Sequence, residues 1–108
     1  MPLMELTEDN FDTETERHSL VLLDFWASWC APCKGFAPVF EAAAQKYPEI
    51  LFAKINTEEQ VNLAKQFEVQ SIPTLLAVKD GTIAHIKIGA LPPNQLEALI
   101  QSLIKLPS

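Results

Sequence analysis

The chain has 108 residues, 48% of them hydrophobic, and a formal net charge of −6. That length supports one domain with its own buried core, and no apolar run is long enough for a membrane-spanning helix. The negative balance excludes the cationic face that a nucleic-acid binder sets against phosphates. The acids are dispersed: Asp12, Glu14, Glu16 and Glu58-Glu59 fall on predicted helices or their edges, where they form a solvated face. The opening Met1-Pro2-Leu3-Met4-Glu5 lacks the basic patch and apolar stretch of a signal peptide, so a cytoplasmic home is expected.

Leu3 to Leu6 reads as a short edge strand. Thr7-Glu8-Asp9-Asn10 then opens a short helix, with Thr7 as the expected N-cap and acid in the first turn. Ser19 to Ala27 is a strand, apolar almost throughout, which suits burial on both faces. A helix follows from Ala31 to Tyr47, with Phe36, Val39, Phe40 and Ala43-Ala44 on its apolar side. Pro38 predicts a kink within it, and Tyr47-Pro48 predicts its end.

Ile50 to Ile55 is the next buried strand. Thr57-Glu58-Glu59-Gln60 has the form of a capping box, opening a helix that sets Val61, Ala64 and Phe67 on one face. Thr74 to Lys79 and Thr82 to Ile88 are strands joined at Asp80-Gly81, a hairpin signal. After Gly89, Pro92-Pro93 starts a last helix whose Leu96, Leu99, Ile100, Leu103 and Ile104 follow helical spacing. Strand–helix crossovers imply parallel pairing with helices on both faces, and the hairpin adds antiparallel strands. The fold class is therefore α/β with a mixed sheet, in a single domain over residues 1–108.

The chain's two cysteines lie in Trp29-Cys30-Ala31-Pro32-Cys33-Lys34, directly after the first long strand. Helical residues three apart share a face about 5–6 Å apart, within the reach of a disulfide. The pair can therefore alternate between dithiol and disulfide. Cys30 precedes the helix, where unpaired N–H groups and the positive dipole end favour a thiolate, so it is the expected attacking sulfur. Cys33, one turn in and further from solvent, is the expected resolving sulfur. Pro32 suits a helix start.

A zinc site needs four ligands, and His18 and His85 are too scattered to supply the rest, so no metal is expected. Inert core cysteines fit poorly with a Trp-flanked strand-to-helix turn. Asp24 interrupts an apolar strand. Buried there, its carboxyl has a raised pKa suited to proton transfer, with Lys54 of the neighbouring strand available to pair with it; at a strand edge it faces water instead. Pro73 in Ile72-Pro73-Thr74 reads by base rate as a trans strand opener.

Taken together, Asp24-Phe25-Trp26-Ala27, Trp29-Cys30-x-Pro32-Cys33-Lys34, Pro38, Ala53-Lys54-Ile55-Asn56, Ile72-Pro73-Thr74-Leu75, Asp80-Gly81 and Gly89-Ala90 resemble the thioredoxin family in order and spacing. The resemblance implies a thioredoxin-like fold, a mixed sheet of five strands flanked by four helices, and a general protein disulfide reductase. Under it Cys30 is the nucleophile and Cys33 the resolving thiol. Asp24 is the buried acid/base assisting Cys33 through water, with Lys54 modulating it. Pro73 becomes a cis-proline opposite the disulfide, and Ile72 offers backbone groups to an extended substrate strand.

The resemblance further implies that Trp29, Ala31, Pro32, Ile72, Gly89 and Ala90 bear on substrate docking at an apolar rim. No bound cofactor is implied: electrons come from NADPH through thioredoxin reductase, and the partners are that reductase and protein disulfide substrates. No nucleic acid or membrane is involved, and nothing demands more than a monomer. Ala31-Pro32 stands where the family usually has Gly-Pro, Gly35 where it has a larger residue, and Ser71 where it often has Gly. Strongly oxidising relatives carry His between the cysteines; Ala31-Pro32 offers no such cation, which favours a reductant. The competing readings are a redox-independent binding module or holdase using the same rim, and a thiol oxidase or isomerase.

Overall fold

A computed structural model describes residues 3–107, so the opening Met1-Pro2 of the sequence reading lies outside the described residues. The elements are β1 Leu3–Glu5, α1 Phe11–Glu16, β2 Leu20–Trp26, α2 Ala31–Lys46, β3 Leu51–Asn56, α3 Val61–Gln66, β4 Thr74–Lys79, β5 Thr82–Ile88 and α4 Pro93–Ile104. The sheet order is β1-β3-β2-β4-β5. β3 pairs in parallel with β1 and β2, whereas β4 is antiparallel to both β2 and β5. This is the mixed sheet of five strands and four helices that the sequence predicts.

Because side chains alternate along a strand, β2 feeds two cores. Leu20 and Leu22 join Phe36 and Phe40 of α2, Phe52 of β3, and Leu96, Ile100 and Leu103 of α4. Val21, Leu23 and Phe25 face the other way, toward Phe11 of α1 and Leu63 of α3. Phe25, Phe36, Phe40 and Phe52 are fully buried, each worth roughly 1.5–3 kcal/mol of transfer free energy. Phe40 meets Phe52 edge-on with ring centroids 5.2 Å apart, which fixes α2 over β3. At the far end of α2, Glu97 accepts from both Lys46 and Tyr47, tying that helix to α4.

The hairpin follows its turn chemistry. Asp80 and Gly81 have φ of 49° and 81°, the two positive values that a type I′ turn requires. α2 is one continuous element across Pro38, whose exposed position leaves the unpaired carbonyl one turn back to solvent.

Three local expectations are corrected. The N-cap of α1 is Asn10, not Thr7: Asn10 Oδ1 accepts from the Thr7 amide at 2.7 Å, so a turn precedes the helix. The capping box at Thr57 does not form, and α3 begins three residues later with Gln60 as N-cap. Its members are engaged elsewhere: the Thr57 hydroxyl donates to the Trp26 carbonyl, and Gln60 Oε1 accepts from the Glu8 amide. The buried anchor of α3 is Leu63, while Val61 is 46% exposed.

Candidate active site

The carboxyl end of β2 delivers the cysteines. After Trp26 the chain turns, with the Cys30 amide donating to the Ala27 carbonyl at 3.2 Å. Cys30 has extended φ and ψ of −88° and 108° and is the N-cap of α2. Its sulfur accepts the Cys33 amide at 3.2 Å, satisfying one of the helix's unpaired donors. The two sulfurs are bonded to each other, with Cα atoms 5.3 Å apart. That separation lies within the range a disulfide spans.

The expected difference in depth between the cysteines is not found. Cys30 is 3% and Cys33 4% exposed, because both pack with Ala27 against Trp26 and Ile72. What distinguishes them is electrostatic: Cys30 sits at the helix terminus and receives an N–H, while Cys33 lies inside the first turn.

Ile72 and Pro73 arrive from the segment before β4, joined by a cis peptide bond as the resemblance implies and against the base rate. The Gly89 amide donates to the Pro73 carbonyl at 2.8 Å, so the exit from β5 is fastened beside the cis-proline. Gly89 has φ of 99°, a conformation that disfavours side chains, although a Cβ there would meet nothing. Trp29 projects into solvent at 70% exposure, and Ala31, Pro32 and Ala90 are exposed. Two grooves, of about 730 and 370 Å³, lie elsewhere, and neither is lined by any of these residues. The disulfide itself is buried, and the exposed Trp29, Ala31, Pro32 and Ala90 lie around it in the chain and on the strand exit beside the cis-proline.

Asp24 is buried, as the functional alternative requires, at 1% exposure. Neither of its carboxyl oxygens has a hydrogen-bond partner among the described residues. Desolvation raises its pKa to about 7, against a smaller lowering by Lys54 and a raising by Glu5. Lys54 is its register partner on β3, but the expected direct pairing does not form. The Lys54 ammonium lies 4.7 Å from the centroid of the Trp26 ring, and the ion pairs among the described residues are Arg17–Glu14 and Lys46–Glu97.

Two acids escape sequence reasoning. Glu58, read as part of a solvated helix face, accepts from both the amide and the hydroxyl of Ser28 at 2.8 Å, clamping the residue that precedes Trp29. These bonds hold the Glu58 pKa below the usual carboxylate range. Glu5 lies in register with Lys54, and only the Leu3–Glu5 alternation hints that it shares the face of Leu3. The histidines stand apart from the site: His18 Nδ1 lies 3.1 Å from the Glu14 carbonyl, and His85 is exposed on β5. Among the described residues no group of three His, Cys, Asp or Glu side chains is placed to hold a metal, and no helix is long and apolar enough to cross a membrane.

The sequence model of the family described as Thioredoxin matches residues 2–102. A putative thioredoxin 2 of Streptomyces coelicolor is 45% identical over 103 residues, covering 95% of this chain and 77% of that protein. A thioredoxin of Chlorobaculum thiosulfatiphilum is 44% identical over 94 residues, covering 85% of this chain and 87% of its own. A mutant thioredoxin from Halobacterium salinarum NRC-1 superposes with a TM-score of 0.90 at 31% identity, covering 98% of this chain and 94% of that one. Oxidized mitochondrial thioredoxin 3 from Saccharomyces cerevisiae gives 0.84 at 34% identity, covering 94% and 95%. With a disulfide pair at the head of α2 and this fold around it, the chain belongs to the thioredoxin family and is a dithiol–disulfide reductase.

Proposed function

We propose that the protein, acting as a monomeric single domain in the cytoplasm, reduces disulfides of partner proteins with Cys30 as attacking and Cys33 as resolving sulfur. Asp24 is the proton acceptor for Cys33, and Lys54 modulates it. The observation that carries this reading is the capping position of Cys30, where an inward N–H and the helix terminus favour its thiolate.

In the reduced protein the Cys30 thiolate attacks one sulfur of a substrate disulfide. That S–S bond breaks, a mixed disulfide forms, and the departing sulfur takes a proton from solvent. Cys33 then gives its proton to Asp24 and attacks the Cys30 sulfur. The mixed disulfide breaks, the second substrate thiolate leaves and is protonated, and two electrons have passed from the pair to the substrate. A carboxyl with a pKa of about 7 suits this proton transfer at neutral pH.

Trp29, Ala31, Pro32, Ile72, Pro73, Gly89 and Ala90 form the docking rim, and Ile72 offers its backbone to an extended substrate segment. NADPH supplies electrons through a thioredoxin reductase, which restores the dithiol. Both cysteines of the chain belong to the pair, so the fold has no other disulfide to lose in a reducing compartment. Ala31-Pro32 adds no cation to stabilise the thiolate, which supports a reductant over an oxidase.

In an insulin-reduction assay Cys30→Ser is expected to lower turnover to background. Cys33→Ser is expected to accumulate mixed disulfides with substrate, seen as mass adducts that dithiothreitol releases. Native-like turnover by the Cys30 variant would overturn the assignment.

A further inference from the structure

Three adjacent strands each carry one charged residue, and the three stand in a single row. Glu5 of β1 is the register partner of Lys54 on β3, and Lys54 is the partner of Asp24 on β2. Register partners point to the same face of a sheet. Leu3 and Phe52, an earlier pair on that face, pack into the core beneath α2 and α4. The row therefore emerges under α2, at the carboxyl ends of the strands where the disulfide sits.

Lys54 is the single cation of these three strands. It stands between two carboxylates, and among the described residues it forms an ion pair with neither. Its ammonium rests over the Trp26 ring, which leaves its field shared. Lys54 lowers the pKa of both Asp24 and Glu5, and the charge of Glu5 raises that of Asp24. Glu5 is an exposed residue; partial desolvation raises its pKa most, and Glu59, before α3, raises it further.

The other surroundings of Asp24 carry little charge. β4 contributes Leu75, with exposed Lys87 of β5 beyond it in the same row. α2 turns Cys33, Phe36, Phe40 and Ala44 inward and keeps Lys34 in solvent. α4 faces inward with Leu96, Ile100 and Leu103.

We propose that Glu5 is a positioning residue of the redox site, which competes with Asp24 for Lys54 from the outer strand and keeps Asp24 receptive to the Cys33 proton. The inference rests on Asp24 being the proton acceptor proposed above. Glu5 touches no reacting atom. Strands stand about 4.8 Å apart, so the two carboxylate positions are separated by roughly 10 Å across the row. At that range, partly screened by solvent and salt, one unit charge moves another's titration by about half a pH unit.

The test is a carbon-13 carboxylate NMR titration of Asp24 in the reduced protein, run for the native chain, Glu5→Gln and Glu5→Asp. With Glu5 neutralised, Lys54 acts on Asp24 alone, and the Asp24 midpoint is expected to fall by about half a pH unit. The acid limb of the turnover–pH profile should move the same way. Glu5→Asp keeps the charge and should keep the native midpoint. An Asp24 midpoint unchanged or raised in Glu5→Gln overturns the proposal, as does an equal shift in Glu5→Asp, which would make the effect steric. Native-like turnover by Asp24→Asn would instead remove the proton-acceptor reading, while the titration of Asp24 would still report its coupling to Glu5.

Discussion

The two faces of β2 do opposite things to the stability of this fold. Val21, Leu23 and Phe25 form an unbroken apolar layer against α1 and α3. On the other face Leu20 and Leu22 begin in the same manner, but Asp24 follows at the end nearest the disulfide, buried and without a protein partner among the described residues. A carboxyl held that way favours the neutral form, so its ionisation works against folding. One strand thus combines a face that maximises packing with a face that gives up stability at the proposed proton acceptor.

Substitutions can break or sharpen this contrast. On the apolar face, Phe25→Ala should cost about 3–5 kcal/mol in urea unfolding, since it empties a fully buried ring site. That loss should be the same at pH 4 and pH 8, as the cluster it packs in is apolar. On the redox face, Asp24→Asn should stabilise the protein by roughly 4 kcal/mol at pH 8. The folded pKa of Asp24 is raised from 3.8 to about 7. Below about pH 4 the carboxyl is neutral in both states and the variant should match the native chain. Between about pH 4 and 7 the unfolded chain releases the proton and the folded one retains it, so native stability falls, and above that range the deficit is constant. A gain independent of pH would mean that Asp24 is solvated and the contrast is false. The smallest effect lies outside both faces: Gly35→Ala, at an exposed helical site where a Cβ meets nothing, should add about 0.5–1 kcal/mol.

What the sequence discloses and what it conceals divide along the range of the interaction. Patterns carried by neighbouring residues are legible: the apolar run of β2, the helical spacing of α4, the Asp80-Gly81 turn, the cysteines at a strand-to-helix junction. Hydrogen bonds to distant residues are not. Thr57 and Gln60 have the letters of a capping box, but Gln60 serves the amide of Glu8, 52 residues away. Glu58 looks like a solvated acid until Ser28, 30 residues earlier, is folded onto it. Glu5 acquires its place only from the register of β1 on β3, which no local pattern specifies. The depth of Cys30 likewise depends on Ile72, which packs against it from another part of the chain.

The outer strand β5 carries a consequence of another kind. Among the described residues one side of its backbone faces no neighbouring strand, and Ile83, Ile86 and Ile88 are 48%, 54% and 64% exposed. Such a border invites a second molecule to add to the sheet. The colloidal behaviour of the protein therefore depends on charge more than on shape. Mutual repulsion from the net charge of −6 opposes such addition at neutral pH. Acidification toward the isoelectric point of about 4.7 removes that repulsion and leaves the apolar border open.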